Sequence, residues 1–186
     1  LDADLPFFYE VRGFWELTRI AAEPGWAGSP EHRRVRVLEQ SVVDLAQRLF
    51  TLNGFMRDEL VARGAPAERI SLVPNGFDGW VPAQGLADAL RAQLNITAEN
   101  VVGYIGSFNS YEGLDDLIGA VAKVRAQGRN LALLLVGSSA RMGMEDADSG
   151  LCRAGQAYRA LAQELGIASY VHLPGRVDPA AVDAYY

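Results

Sequence analysis

The chain alternates short apolar runs with stretches in which apolar residues recur at helical spacing. Runs that are continuous, or rich in β-branched and aromatic residues, predict strands at 6–11, 48–52, 69–73, 101–105, 131–136 and 170–173. Helical spacing predicts helices that begin near Pro30, Met56, Leu86 and Leu114, one that carries Tyr158, and one that starts at Pro179. Because strands and helices alternate, the sequence predicts an α/β fold with parallel sheets.

The helix at Pro30 has a clear start signal. Ser29 is a favoured N-cap residue, and Pro30 suits the first helical position. We expect the apolar side of this helix to consist of Val35, Leu38, Val42, Leu45, Ala46 and Leu49. Residues 12–16 and the glycine- and proline-rich stretch 24–30 are interpreted as connecting segments, and no helix is assigned there.

The stretch 76–85 differs from its surroundings because it has little periodicity and several glycine and proline residues. We interpret it as a linker between one domain at 1–80 and a second at 81–186. The chain does not begin with Met and stops at Tyr186 within a helical pattern. We therefore expect it to be an internal part of a longer protein, so that any function belongs to that protein.

Composition excludes several classes of function. A formal net charge of -6 argues against a nucleic-acid partner, which needs a basic surface. Cys152 is the single cysteine; it predicts a structural thiol and a reducing, cytoplasmic compartment. The longest apolar run, 131–136, is far shorter than the ~20 residues of a membrane span. His32 and His172 have no ligand-spaced partners, so no metal site is expected.

Residues 101–124 combine a strand, a glycine-bearing turn and a helix. The turn contains Gly106, Ser107 and Gly113. Such a turn directs backbone N–H groups and a helix N-terminus at a ligand beyond the carboxyl end of a strand, and phosphate is the usual ligand. An ordinary strand-to-helix turn fits the residues equally well, so both interpretations stay open at this level.

Five short motifs stand in order along the chain. They are YEVRGFWE at 9–16, PNGFD at 74–78, IGSFNSYEGLDDL at 105–117, LLLVG at 133–137 and LPGRVD at 173–178. In order and spacing the chain resembles the retaining glycosyltransferases of family 4, and the resemblance covers nearly its whole length.

The resemblance implies a GT-B architecture, with two Rossmann-like parallel-sheet domains that face each other across a cleft and are both incomplete in this chain. It implies a nucleotide diphosphate sugar held mainly by the second domain and an acceptor hydroxyl held by the first, with no metal or other cofactor. The family's paired glutamates, in a Glu-x7-Glu motif, would follow Tyr186, and its glycine-rich N-terminal loop would precede Leu1. We therefore expect residues 1–186 alone to be inactive in transfer.

The resemblance assigns a set of donor-binding residues to the second domain. They are Gly106, Ser107, Tyr111, Glu112, Gly113, Gly137, Ser138, Arg176 and Val177. Tyr111 and Glu112 stand where many relatives carry Arg and Lys, so this loop lacks the usual cations that neutralise a leaving diphosphate; Glu112 also suits the helix N-terminus as a capping charge. Arg12 and Arg176 are the candidates to replace those cations. A buried Val177 beside a solvent-facing Arg176 is the alternative for that pair.

Arg12 stands where relatives often place a His near the reacting sugar and the diphosphate, which makes it the candidate catalytic residue, stabilising phosphate charge. The alternative is a surface arginine paired with Glu10 or Glu16, and Glu16 itself is expected to be a solvated carboxylate. The residues expected to shape the crossing between the domains are Asn75, Gly76 and Asp78.

The function implied is synthesis of a cell-surface polysaccharide, a glycolipid or a similar glycan. The first domain carries a group of basic residues, Arg33, Arg34, Arg36 and Arg48. A solvated helix face is the favoured interpretation of this group, and the alternative is contact with the inner face of the membrane and a lipid-linked acceptor. Two alternatives remain, a non-catalytic α/β module that binds a nucleotide or a protein partner, and another GT-B enzyme such as a sugar-nucleotide epimerase. A dinucleotide-dependent oxidoreductase is disfavoured because no G-x-G-x-x-G follows any strand. Oligomeric state stays open.

Overall fold

The computed structural model describes residues 5–76, 79, 85–139 and 151–186. The chain divides into two compact units, Leu1–Gly79 and Trp80–Tyr186. Most of the predicted linker, the whole of the stretch 142–150 and Asp78 lie outside the described residues.

The first unit is a three-stranded parallel sheet with helices between its strands. Its elements are β1 (Phe8–Val11), α1 (Trp15–Ala22), α2 (Pro30–Leu45), β2 (Arg48–Thr51), α3 (Gly54–Ala62) and β3 (Ile70–Leu72). The strand order is β1-β2-β3, and Leu49 of β2 pairs with Tyr9 on one side and Ile70 on the other. As predicted, Ser29 caps α2, because its side chain accepts a hydrogen bond from the His32 N–H at 3.1 Å.

Helix α1 was not predicted, and the reason lies in its inward-facing residue. Glu16 is fully buried, while Trp15 and Leu17 are about half exposed (48% and 49%). An apolar period identifies a helix only when its buried positions are apolar. Here a carboxylate occupies the buried position, so the helical pattern is hidden in the sequence.

The buried side of α2 also differs from the prediction. Val43 and Ala46 are buried as part of the core, but Leu38 and Leu45 are exposed (59% and 65%) within the described structure. The inward stripe of α2 is instead shared with Glu39, which is 13% exposed. The prediction was wrong for the two leucines because it counted only apolar residues as inward-facing. It was also wrong in extending the helix to Leu49, since α2 ends at Leu45 and Leu49 belongs to β2.

The second unit repeats the arrangement with a second parallel sheet. Its elements are α4 (Leu86–Gln93), β4 (Asn100–Gly106), α5 (Leu114–Ala126), β5 (Leu131–Gly137), α6 (Arg153–Glu164) and β6 (Val171–Gly175). The order is β4-β5-β6, so β5 is the central strand and its residues from Ala132 to Val136 are buried, as the continuous apolar run predicts. The residues that follow Asp178 form a 3-10 helix, Pro179–Tyr185, where the sequence predicted an α-helix.

Among the described residues, the structure contains no helix with the length and apolar character required to cross a membrane.

Candidate functional site

The predicted donor-binding residues of the second unit lie at the carboxyl edge of its sheet. Gly106 at the end of β4 pairs with Gly137 at the end of β5, and Val136 pairs with Gly175 at the end of β6. Ser107, Ser138 and Arg176 each follow one of these strand ends. The parallel register therefore brings together residues from three separate parts of the sequence.

Gly137 is required by the close approach of the two strand ends. Its φ is +138°, and a Cβ built there would lie 1.8 Å from the Gly106 carbonyl oxygen. No side chain fits at that distance. Gly113 has a second special conformation, with φ +67°, and it turns the chain into the first turn of α5.

The loop between Ser107 and Glu112 is anchored by an aromatic residue that the sequence analysis did not select. Phe108 is 3% exposed and lies edge-on to Tyr158 of α6, with ring centroids 5.6 Å apart. Tyr104 of β4 lies 6.3 Å from the same ring and donates a hydrogen bond to the Ser107 carbonyl at 2.8 Å. A phenylalanine among Gly, Ser and Asn residues was the available signal for this anchor.

The side chains around this loop are acidic. Burial, followed by the nearby Glu112 carboxylate, raises the pKa of Tyr104. Burial, followed by Asp115, raises the pKa of Tyr158. Tyr111, 44% exposed, receives a hydrogen bond from Asn109 Nδ2 at 2.9 Å. Backbone N–H groups of the turn and of α5 are therefore the local positive partners for an anion.

Arg176 and Val177 follow β6 at the same edge. Arg176 is exposed and Val177 is partly buried. Arg176 therefore follows a strand end at the same edge as Ser107 and Ser138, whereas Val177 is not fully enclosed. This arrangement keeps Arg176 as the cation candidate of the second unit.

Cys152 caps α6 in the same unit and is 3% exposed, in agreement with the structural thiol predicted from sequence. Its sulfur receives hydrogen bonds from Ser139 N (3.3 Å), Ser139 Oγ (3.4 Å) and Gly155 N (3.5 Å). Burial raises the pKa of the thiol, but hydrogen bonds from Ser139, Gly155 and Ser138 outweigh burial and lower the pKa to about 6. A thiolate is thereby favoured at the helix N-terminus.

In the first unit, Arg12 contacts two partners. Its Nη1 donates to Glu10 Oε1 at 3.0 Å, which is the surface pair that the sequence left open, and its Nη2 donates to Asn75 Oδ1 at 2.7 Å. The structure therefore gives Asn75 a role as the partner of Arg12, which the sequence did not indicate. Gly76 follows at the end of the described segment.

Glu16 does not pair with Arg12, and the expectation of a solvated carboxylate is wrong. Its side chain is 0% exposed, and its Oε1 lies 2.6 Å from Nη1 of Arg63, the residue that follows α3. Arg63 also donates from Nε to Glu59 Oε1 at 2.7 Å, and its guanidinium stacks over the Phe14 ring at 4.0 Å. The carboxylate is buried because a buried arginine neutralises it.

A cavity of about 470 Å³ lies elsewhere in the second unit. Its walls come from α4, β4, β5 and the final 3-10 helix, and they include none of the predicted donor-binding residues. Within the described ranges, no group of three or more His, Cys, Asp or Glu residues is arranged to hold a metal ion.

The sequence matches two family models. Residues 1–76 match a glycosyl transferase 4-like domain. Residues 87–186 match the glycosyl transferases group 1 family, and this second match covers more than half of the chain. A curated relative, the D-inositol 3-phosphate glycosyltransferase of Segniliparus rotundus, is 32% identical over 123 residues, which cover 66% of this chain and 25% of the relative.

Solved structures confirm the fold predicted from sequence. Alr3699/HepE from Anabaena, in complex with UDP and glucose, superposes with a TM-score of 0.64 at 20% identity, over 96% of this chain and 43% of that chain. WaaG, a glycosyltransferase involved in lipopolysaccharide biosynthesis, superposes with a TM-score of 0.58 at 19% identity, over 95% of this chain and 48% of that chain. The two parallel-sheet α/β units thus have the GT-B, Rossmann-like fold, and the chain spans less than half the length of these relatives. The chain belongs to the glycosyl transferases group 1 family.

Proposed function

We propose that the protein containing this chain is a retaining glycosyltransferase of family 4, which moves a sugar from a nucleotide diphosphate sugar to an acceptor hydroxyl during synthesis of a surface polysaccharide, a glycolipid or a similar glycan. The observation that carries the proposal is the carboxyl edge of the second sheet, where Gly106 and Gly137 pair and Gly113 starts α5. The strand ends and the helix N-terminus at this edge are the kind of place that a phosphate occupies in comparable folds.

The comparison with the Anabaena structures supports a nucleotide-sugar donor. The Anabaena neighbour was solved with UDP, with UDP and glucose, and with UDP-glucose. The curated relative, named D-inositol 3-phosphate glycosyltransferase, supports glycosyl transfer. A sugar nucleotide contains a diphosphate, which backbone N–H donors at a helix N-terminus can bind. It also contains a sugar, which needs space beside those donors.

The proposed step conserves configuration at the anomeric carbon. The bond from that carbon to the diphosphate oxygen breaks, the acceptor oxygen bonds to the same face, and the acceptor proton passes to the leaving phosphate. The protein contributes positioning and charge stabilisation, and no metal or other cofactor is proposed. Since Tyr111 and Glu112 supply no positive charge, the proposed cations are Arg12 and Arg176.

A thermal-shift panel tests the donor. UDP, GDP, ADP and their sugars are added separately to the full-length protein, and the nucleotide of the true donor is expected to raise the melting temperature. Ser107→Asp places a carboxylate beside the proposed diphosphate and should abolish the shift. Gln127→Glu adds the same charge just beyond the other end of α5 and should retain it. A panel without any shift, or a shift that survives S107D, contradicts the proposal.

A second candidate is a non-catalytic module that binds a nucleotide or a protein partner. Glu112 favours it, because a carboxylate beside the loop opposes a diphosphate. Release of free nucleotide diphosphate from the nucleotide sugar that binds distinguishes the two, since a module binds without release. Chromatography of the recovered nucleotide sugar identifies an epimerase by its altered sugar.

A further inference from the structure

Helices α1 and α2 and the end of α3 enclose three charged side chains whose charges do not cancel. Glu16 is fully buried, and Glu39 and Arg63 are 13% and 8% exposed. Arg63 Nη1 lies 2.6 Å from Glu16 Oε1 and 3.8 Å from Glu39 Oε2. Two carboxyl groups therefore share one guanidinium, and one negative charge is in excess when both carboxyls are ionised.

The groups that surround this cluster do not remove the excess charge. Arg36 Nη1 on α2 lies 3.9 Å from Glu16 Oε1, and Glu59 Oε1 on α3 lies 2.7 Å from Arg63 Nε. The side chains of Arg36 and Glu59 are both 43% exposed, and the positive charge of one offsets the negative charge of the other. From β1, Tyr9 faces the carboxyls, and its pKa is raised first by burial and then by Glu39 and Glu16. The neutral phenol adds no positive charge.

Two carboxyl oxygens in this cluster have no hydrogen-bond partner among the described residues, and neither does the Arg63 Nη2 donor. Glu16 Oε2 and Glu39 Oε2 are both buried, and within the described part of the chain neither accepts a hydrogen bond. Both carboxyl groups approach the same guanidinium nitrogen, Arg63 Nη1. Ionised carboxylates only accept hydrogen bonds, so two of them cannot satisfy each other. A single proton on one carboxyl supplies an O–H donor among these acceptors and cancels the excess charge.

We propose that Glu16 and Glu39 form a carboxylic acid–carboxylate pair, in which Glu39 keeps a proton at a pH where an exposed glutamate has lost it. The assignment follows from geometry. Glu16 receives the direct hydrogen bond from Arg63 at 2.6 Å, whereas Glu39 lies farther from that guanidinium, at 3.8 Å. Glu39 also lines a cavity of about 260 Å³ with Tyr9 and Trp15, which gives its carboxyl a route for proton exchange.

The electrostatics agree with this assignment. The pKa of Glu39 is raised, first by burial and then by the Glu16 carboxylate, while Arg63 and Arg36 oppose the shift. Because the folded-state pKa is higher than the unfolded one, the pair stabilises the fold fully below the unfolded value, about 4.3. That stabilisation is lost as pH rises through the folded-state pKa of Glu39. The pair is thus a pH-sensitive connection between α1 and α2.

Substitution of Glu39 tests the pair. Glu39→Gln replaces the proton with a permanent amide donor, so its stability relative to wild type should increase as pH rises from 4.5 to 8, at most by about tenfold in the unfolding equilibrium constant per pH unit. The control is Glu31→Gln, which removes an exposed carboxyl from the first turn of α2. The difference in unfolding free energy between E31Q and wild type should not increase in this way as pH rises. A pH-independent difference between E39Q and wild type overturns the proposal.

A second measurement needs no substitution and decides the matter even where E39Q does not fold. Carbon-13 NMR of the wild-type chain follows the side-chain carboxyls of Glu39 and Glu31 during a pH titration. Glu39 is expected to titrate at a higher pH than Glu31. Titration of the two carboxyls at the same pH, or of Glu39 at the lower one, overturns the proposal.

Discussion

Arg12 donates a hydrogen bond across 2.7 Å to the side-chain oxygen of Asn75, and the two residues are 63 positions apart in the sequence. Arg12 follows β1 and Asn75 lies beyond β3, while β2 separates these strands in the sheet. With Glu10 on its other side at 3.0 Å, the guanidinium is held in one orientation. An arginine oriented in advance stabilises developing charge without reorganisation.

Replacing Arg12 with Gln should lower turnover by about 100-fold in the full-length protein, because the variant loses the positive charge proposed to stabilise the leaving phosphate. The measurement is the initial transfer rate with the donor identified by thermal shift. Arg19→Gln is the matched control, since Arg19 is an exposed arginine in an i,i+4 pair with Glu23. A wild-type rate in R12Q contradicts the role proposed for Arg12.

Gly137→Ala should destabilise the fold by about 3 kcal/mol or more, through backbone strain and overlap with the Gly106 carbonyl. Urea unfolding of the two proteins measures the difference. Gly103→Ala is the control in the paired strand, because a Cβ there meets nothing within 4 Å and φ is not positive. Its effect should stay below about 1 kcal/mol, and equal losses in the two variants contradict the steric explanation.

Much of the fold could be predicted because the apolar residues of a buried strand or helix form a pattern within their own short stretch of sequence. The strand β5 is the clearest example: both of its faces are covered, so every inward position is apolar. Helix α1 could not be predicted, since its buried residue, Glu16, is neutralised by an arginine 47 positions later. Such a long-range ion pair leaves no local pattern in the sequence.

The candidate site divides in the same way. Gly106 and Gly137 could be placed together because parallel strands align their carboxyl ends. The contact between Arg12 and Asn75 could not, because it depends on the order of the strands in the sheet. The anchoring of the loop by Phe108 depends on Tyr158, 50 positions away, and was likewise out of reach.

Arg63→Met should destabilise the fold by about 3–5 kcal/mol, because Glu16 would keep a buried charge without its partner. The loss should be smaller at acidic pH, where protonation neutralises the carboxyls. Arg57→Met is the control from helix α3, which Arg63 follows, since Arg57 is 45% exposed and pairs with the exposed Asp58. Denaturant unfolding should give no more than about 1 kcal/mol for R57M; a similar loss for R63M shows that Glu16 is not an uncompensated charge.

The stability of the chain should depend on ionisation of Cys152. The thiol pKa is lowered to about 6 in the fold, against about 8.5 in an unfolded chain. The resulting stabilisation is fully present above the unfolded value and is lost as pH falls through about 6. Relative to Cys152→Ser, which keeps a capping oxygen but does not ionise, wild type should gain up to about 1.4 kcal/mol per pH unit between those values.

Denaturant unfolding at several pH values measures this gain. Cys152→Ala neither ionises nor caps the helix. Its free energy of unfolding should depend on pH with the same slope as that of C152S and be about 1 kcal/mol lower. Parallel curves for wild type and C152S across pH 6 to 8.5 show that folding does not lower the pKa of the thiol.

In both sheets the strands stand side by side in the order in which the chain is synthesised, β1-β2-β3 and β4-β5-β6. Each strand after the first in its sheet pairs with the one before it, so its partner has already left the ribosome when it emerges. Among the described strands, neither sheet contains a gap that a later one of them must enter. Because domains form from the N-terminus during synthesis, each sheet can be extended one strand at a time as translation proceeds, with its apolar edge exposed only until the next strand arrives.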